Sequence, residues 1–328
     1  MKNIIYIILL VSVFTSCKND IAINAEWKET AVVYALLDAN EPIHYIRVEK
    51  SFLNTGSDAV RVAGVSDSIY FDTLEVAIRI MDGSTIVQNI NFYPDYNAPK
   101  QQGVFASTDA VLYTSIEKLS PTASYNLHIK NPRTGKEYTS NTSMVYNSFI
   151  QTKTSMFSLY PNQTIAYYFY TGKKAYEYEA TLTLHYAEYD SVSNQLLGRH
   201  SFSWVAAKNI FVNDPKSSRQ VKFDLDGGNF FNQIASNIPK TPGVWRSMDT
   251  CDVLLYGAGE ELSNYIALNK PSLSIVQKKS DYSNINNGLG IFSSRNTNHD
   301  QIGLPISDST KYYIYVSPIT AGLGFRKP

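Results

Sequence analysis

Cysteine is scarce: two residues, Cys17 and Cys251, in a chain of 328, which excludes a disulfide framework. Net charge is absent as well. The 29 basic residues are balanced by 29 acidic ones, so the electrostatic footprint of a nucleic-acid binder is missing. No apolar run reaches the roughly 20 residues that span a hydrocarbon core. The five histidines, His44, His128, His185, His200 and His299, never fall at metal-ligand spacing from one another or from a cysteine, and no metal site is expected. There is no Gly-x-Ser-x-Gly, and no Ser-x-x-Lys is tied to a recognisable partner set. No pair of carboxylates stands in an apolar run where burial would raise a pKa for acid–base work. Catalytic, cofactor-binding and metal-binding residues therefore have no candidate, and the expectation is a protein that is not an enzyme.

What is present begins at the front. In "MKNIIYIILLVSVFTSCKND", Lys2 supplies a positive start, Ile4 to Phe14 an apolar run, and Thr15 and Ser16 the small residues before Cys17. That order is expected of a secretory signal over residues 1–16. A cysteine at its end resembles the lipobox of bacterial lipoproteins, although Phe14 stands where many lipoboxes carry leucine. The resemblance implies lipidation of Cys17 as the first mature residue. Several acyl chains, at about 0.8 kcal/mol per buried methylene, hold such a protein on a membrane without any span. Residues 17–26 then read as a polar tether. Its "KND" resembles the export signal of Bacteroidota surface lipoproteins, which implies the outer rather than the periplasmic face of the outer membrane.

Tyrosine, at 24 residues, and phenylalanine, at 15, are plentiful, and the patterning is that of strands. "TAVVYALLD", "HYIRVEKSF", "LEVAIRIMD", "IVQNINFYP", "SYNLHIKNP" and "EYTSNTSMV" are each strand length and bounded by turn formers. In the third, Leu74, Val76, Ile78 and Ile80 face one way while Glu75 and Arg79 face the other. Leu119, Pro121 and Tyr125 resemble the Leu-x-Pro-x-x-x-Tyr corner of fibronectin type III domains, with Ala123 in place of that family's usual threonine. The fold expected is mainly β: an immunoglobulin- or fibronectin-like sandwich over 27–148, then a larger β-rich domain over 149–328 with two short helices. "NSFIQTKTSMFSLYPNQT" loses the alternation and carries the boundary. Beyond it, Tyr176 to Tyr186 alternate with Glu177, Glu179, Thr181, Thr183 and His185, and "DSVSNQLLG" turns this strand into a long hairpin with "RHSFSWVAA". "GNFFNQIASNI" and "GEELSNYIALN" have helical spacing and are expected to cover one end of the sheet. "KYYIYVSP" reads as a late strand.

Several motifs have plain structural readings. Cys251 opens an apolar run and reads as a small buried hydrophobe. His128 and His185 fall on polar strand faces, solvated or pairing across a hairpin. "DLDGGN" clusters hard oxygens before a glycine but has no closing bidentate acid, so it reads as a strand exit capped by Asp226, with glycines before the next helix. "NNGLG" lacks the third glycine and the helix start of a phosphate loop. Gly288 and Gly290 there read as a tight turn, with Ile291 and Phe292 anchored in the core before a polar loop. Four sites, Ser68, Thr73, Ser191 and Ser309, each follow an aspartate and precede a methyl-bearing residue. They resemble the acceptor of Bacteroidota periplasmic O-glycosylation and are candidate modification sites.

"VVYALLDANEPIHYIRVEKSF", "LEVAIRIMDG" and, most specifically, Tyr282 to Phe292 within "YSNINNGLGIFSSRN" resemble an uncharacterised family of Bacteroidota outer-membrane lipoproteins. That family is a domain of unknown function often encoded beside a TonB-dependent receptor. The resemblance implies a non-enzymatic binding or accessory module for nutrient uptake, with a TonB-dependent outer-membrane receptor as partner; it carries no cofactor and names no ligand. Two alternatives stand beside it: a structural or adhesive surface protein, and a hydrolase with dispersed catalytic groups. For the anchor the expected outcome is direct. Cys17→Ala should move the protein from the membrane to the soluble fraction, and unchanged fractionation would refute lipidation.

Overall fold

The computed structural model describes residues 30–51, 64–97, 111–269 and 282–327; the signal, Cys17 and the tether lie outside them. Period-two alternation produces the first strands. β1 (Ala31–Leu37), β2 (His44–Lys50) and β5 (Leu112–Ser115) form one antiparallel wing, and β3 (Glu75–Asp82), β4 (Thr85–Asp95), β6 (Ser124–Lys130) and β7 (Glu137–Ser143) form the other. A short helix, α1 (Ser66–Ile69), precedes β3. β4 joins the wings by changing partners: Thr85 to Phe92 pair with β3, whereas Tyr93 to Asp95 pair with β5. Pro94, which cannot donate to a ladder, lies just beyond the change. Val33, Leu37, Ile46 and Val48 of the first wing share one apolar cluster with Val76, Ile78, Phe92, Leu127 and Ile129 of the second. The sheet is thus folded over its own core.

Beyond residue 144 a second apolar cluster begins at Val145. β10 (Glu177–Asp190), β11 (Leu196–Phe211), β13 (Val244–Ala258) and most of β14 (Leu289–Pro305) make a long-stranded sheet. Its inner face carries Tyr178, Ala180, Leu182, Leu184, Cys251, Val253 and Leu255. Packed on that face are a small sheet of β8 (Phe149–Ile150), β9 (Thr164–Tyr170) and β12 (Gln220–Asp226), and α2 (Gly227–Asn237) with Phe230, Phe231 and Ile234 buried. Asp226, read from the sequence as capping a strand exit, caps α2 as well by accepting from the Asn229 N–H at 2.7 Å. α3 (Glu260–Asn269) follows β13, with its acids in the first turn and no residue fully buried.

Two expectations need correction. The segment read as a late strand is a helix, α4 (Asp308–Val316), so three helices rather than two follow residue 149. Ser307 caps it by accepting from the Thr310 N–H at 3.2 Å, and the buried residues Thr310 and Ile314 stand four apart on one face; cap and helical spacing override the β propensity of its tyrosines. The polar loop expected after Phe292 is the 17-residue strand β14, which pairs parallel with β1 through Leu289 to Ser294 and antiparallel with β13 from Arg295 on. Its Ser293, Ser294, Asn296, Thr297, Asn298 and Gln301 are buried, a composition that hides a strand from a hydropathy pattern. The segment in which the sequence places the boundary carries buried residues: Ile150, Phe157 and Leu159 belong to the second core.

Two tyrosine clasps hold strand entries. The Tyr125 hydroxyl accepts from the Ser120 N–H at 2.8 Å, and the buried Tyr178 hydroxyl accepts from the Gly172 N–H at 2.6 Å. Gly172 is obligatory there, since a Cβ would lie 1.8 Å from the Tyr146 carbonyl oxygen. Gly290 is constrained twice, by φ +105° and by the Val33 carbonyl oxygen 2.0 Å from where a Cβ would stand. Tyr178→Phe, which orphans a buried amide, should lower unfolding free energy by about 1–3 kcal/mol in chemical denaturation. Gly290→Ala should exceed that loss, because it must break the β1–β14 pairing.

Candidate functional site

The outer face of the long-stranded sheet is the one that the second core leaves uncovered, and one end of it lies beneath α3. There a cleft of about 550 Å³ opens, within the range usual for small-molecule sites. Its apolar surface comes from Leu36 of β1, Ala258 of β13, and Leu262 and Ile266 of α3. Its polar groups are Glu177, Glu179, Lys208, Tyr256 and Arg295. Local sequence explains each placement. In β10 the even positions fill the core, so Glu177 and Glu179 emerge on the opposite face. Two register shifts in the β10–β11 pairing fall between Tyr178 and Thr181, where β11 carries extra residues and Asn209 adopts φ 57°. Bulges of this kind re-aim side chains, and here Lys208 is brought to the cleft.

α3 is fixed over the cleft through its first turn. Glu261 Oε2 accepts from the hydroxyls of Thr142 at 2.9 Å and Ser293 at 3.0 Å, while Glu260 Oε2 accepts from the Tyr176 hydroxyl at 3.0 Å. The Leu262 N–H donates to Ser293 Oγ at 3.1 Å. Ser263 Oγ reaches Glu177 Oε2 at 3.4 Å.

The electrostatics are those of charged groups with few partners. Burial, then the neighbouring Glu177, raises the Glu179 carboxyl above its ordinary range, and Lys208 opposes this. Burial raises the Tyr256 phenol. The Arg295 guanidinium lies 5.9 Å from the Tyr256 ring centroid, and its Nε is 3.6 Å from Asp38 Oδ2. Asp38 is itself buried and already accepts from the Thr297 N–H at 2.9 Å, the Thr297 hydroxyl at 2.6 Å and the Asn40 N–H at 3.0 Å. Burial is the largest influence on Asp38 and raises its pKa.

None of the candidate modification sites lines this cleft. Ser68 is half-buried in α1, Thr73 is exposed just before β3, Ser191 is exposed in the β10–β11 turn, and Ser309 is exposed in the first turn of α4. Cys251 is buried, which pushes its thiol well up. His128 lies 3.6 Å from Glu137 and His185 2.9 Å from Asp252, cross-strand pairs in each case. Among the described residues no group of three or more His, Cys, Asp or Glu is placed to hold a metal ion. Sequence reasoning placed Glu177 and Glu179 on a polar strand face but missed Lys208, Tyr256 and Arg295. Glutamates two apart on one strand were the available signal; their partners depend on register.

No family model and no curated protein matches this chain. Among solved structures it is similar to the C-terminal globular domain of an oligosaccharyltransferase from Pyrococcus abyssi, at 9% identity and TM-score 0.28, over 69% of this chain and 46% of that one. It is also similar to the sporulation control protein Spo0M from Bacillus subtilis, at 11% identity and TM-score 0.19, over 51% of each chain. This chain thus spans about half the length of these neighbours.

The raised Glu179 carboxyl has a definite sign in stability. A group whose folded pKa exceeds its unfolded one contributes stability that is lost as pH rises from the ordinary glutamate range through the folded value. Glu179→Gln should flatten that fall and raise the urea midpoint at neutral pH relative to the parent. An unchanged pH profile between about pH 4 and about pH 8 would refute the assignment.

Proposed function

We propose that this chain is an outer-membrane lipoprotein, anchored through Cys17 and facing the cell exterior, that serves as a non-enzymatic binding or accessory module beside a TonB-dependent transporter in nutrient uptake. The observation that carries the binding role is the cleft beneath α3: an apolar floor and roof with acid, cation and phenol groups that meet few partners within the chain. Sites of this composition bind by burying an apolar body and orienting it with a few polar groups. The anchor and the transporter rest on the lipobox at Cys17 and on the family resemblance centred on Tyr282 to Phe292. The first half of the chain reads as an immunoglobulin- or fibronectin-like sandwich, a reading supported by the folded-over sheet and by the Tyr125 clasp at 2.8 Å. Its role is that of a spacer and scaffold. β1 lends it directly to the cleft through Leu36.

Purification of the tagged lipoprotein from native membranes in mild detergent should co-recover a TonB-dependent barrel. Recovery of the lipoprotein alone, from membranes in which the barrel is present, would overturn the partnership.

A further inference from the structure

The cleft has two poles. At one stands Arg295, whose five N–H donors make no hydrogen bond to any described residue and whose Nε is closed off from solvent without a partner. Asp38, 3.6 Å away, pairs with its charge but takes no hydrogen bond from it; that carboxylate accepts from Thr297 and Asn40 instead. The Tyr256 ring beneath the guanidinium keeps it oriented. A guanidinium beside an aromatic ring, half-buried and without hydrogen bonds, is suited to a bidentate carboxylate.

At the other pole stands Glu179, which also makes no hydrogen bond to a described residue and has Glu177 beside it. Two acids on one wall, one of them buried, favour a cationic donor there. Lys208 is exposed and answers Glu179 only from the rim. Register fixes the separation: Glu177 stands opposite Ala258 and Ala258 opposite Arg295, whereas Glu179 stands opposite Tyr256, so Arg295 and Glu179 are two strands and two residues apart. With neighbouring strands about 4.8 Å apart and about 3.3 Å per residue along a strand, their backbones stand roughly 12 Å from each other. Between them lie Tyr256 and Ala258, with Leu36 alongside and Ile266 on the helix above.

Resting on the reading of this cleft as a binding site, we propose that its ligand is a short apolar peptide with both ends free: Arg295 takes the terminal carboxylate, Glu179 with Glu177 takes the terminal ammonium, and the side chains lie between Tyr256 and Ile266. A free amino acid carries the same two charges on one carbon and is too short to reach both poles. A neutral ligand would cover the free donors of Arg295 and the Glu179 carboxylate without giving either a hydrogen bond, which is unfavourable.

Calorimetric titration of the detergent-solubilised full chain tests this with leucyl-leucine, its N-acetyl derivative, its C-terminal amide, and leucine. The free dipeptide should bind, and each blocked form and leucine should bind at least about tenfold more weakly. Arg295→Gln should lower affinity for the free dipeptide to that of the amide while leaving the amide unchanged. Glu179→Gln should do the same with respect to the N-acetyl form. Because Arg295 also faces Asp38, Arg295→Lys is the second variant; it keeps the charge and should retain a preference for the free dipeptide over its amide. Equal binding of free and blocked forms to the parent protein, or no binding of any, overturns the inference whatever the variants do. If the peptides fail while the barrel still co-purifies, the peptide assignment alone falls. Failure of both removes the binding-module reading as well.

Discussion

The side chains of β14 satisfy backbone groups that the short β8 ladder leaves unpaired, and the arrangement of both cores depends on them. Ser294 Oγ donates to the Ser143 carbonyl at 2.7 Å and accepts from the Val145 N–H at 3.1 Å. Asn296 Oδ1 accepts from the N–H and the hydroxyl of Ser148, both at 2.9 Å, and Asn298 Nδ2 donates to the Ser148 carbonyl at 2.9 Å. Gln301 Oε1 accepts from the Thr154 N–H at 3.2 Å. An unsatisfied buried amide costs about 1–3 kcal/mol, so a crossing segment without these partners could not run through the interior. With them, the segment between the cores is strapped along a strand that itself pairs with β1 on one side and β13 on the other.

The same strand sets the cleft. Ser293, one residue before Ser294, faces α3 and binds both Glu261 and the Leu262 N–H, while the Gly259 N–H donates to the Ser294 carbonyl at 2.9 Å. Arg295, the next residue, turns its guanidinium onto Tyr256. Three consecutive positions thus hold a helix, a crossing segment and a charged pole. A shift of β14 by one residue would exchange the two faces, sending Arg295 toward the core and removing the strap. Gly290, where only glycine fits against Val33, holds that register against slippage.

What was legible in the sequence was local. The alternation of β10, the Asp226 cap, the helical spacing of α2 and the Tyr125 corner each involve residues within a few positions of one another, and each is present in the structure. β14 escaped because its inward residues are Ser, Asn, Thr and Gln, polar groups buried against polar partners about 150 positions away. α4 escaped because tyrosines favour strands while a capping serine and two inward residues favour a helix, and the cap decided. The cleft escaped because its poles belong to different strands: Glu179 and Arg295 become neighbours only once β10, β13 and β14 have paired in order.

Arg295 and Glu179, both partly exposed, sit at the edge of the rule that charges withdrawn from water are hydrogen-bonded: neither makes a hydrogen bond to a described residue, and Arg295 keeps an ion pair with Asp38 at 3.6 Å. Elsewhere this chain obeys it closely. Arg246, the most deeply buried cation, donates to Glu188 at 2.8 Å and to Thr241 Oγ1 at 3.2 Å, and also to the Leu323 carbonyl. A fold that supplies three hydrogen-bond acceptors to one arginine, and to another on the same sheet a carboxylate only at ion-pair distance, is not short of means to satisfy them. Departures from local consistency gather where function opposes stability. The two poles, flanking an apolar floor and raised toward a helix that buries nothing of its own, are such a departure.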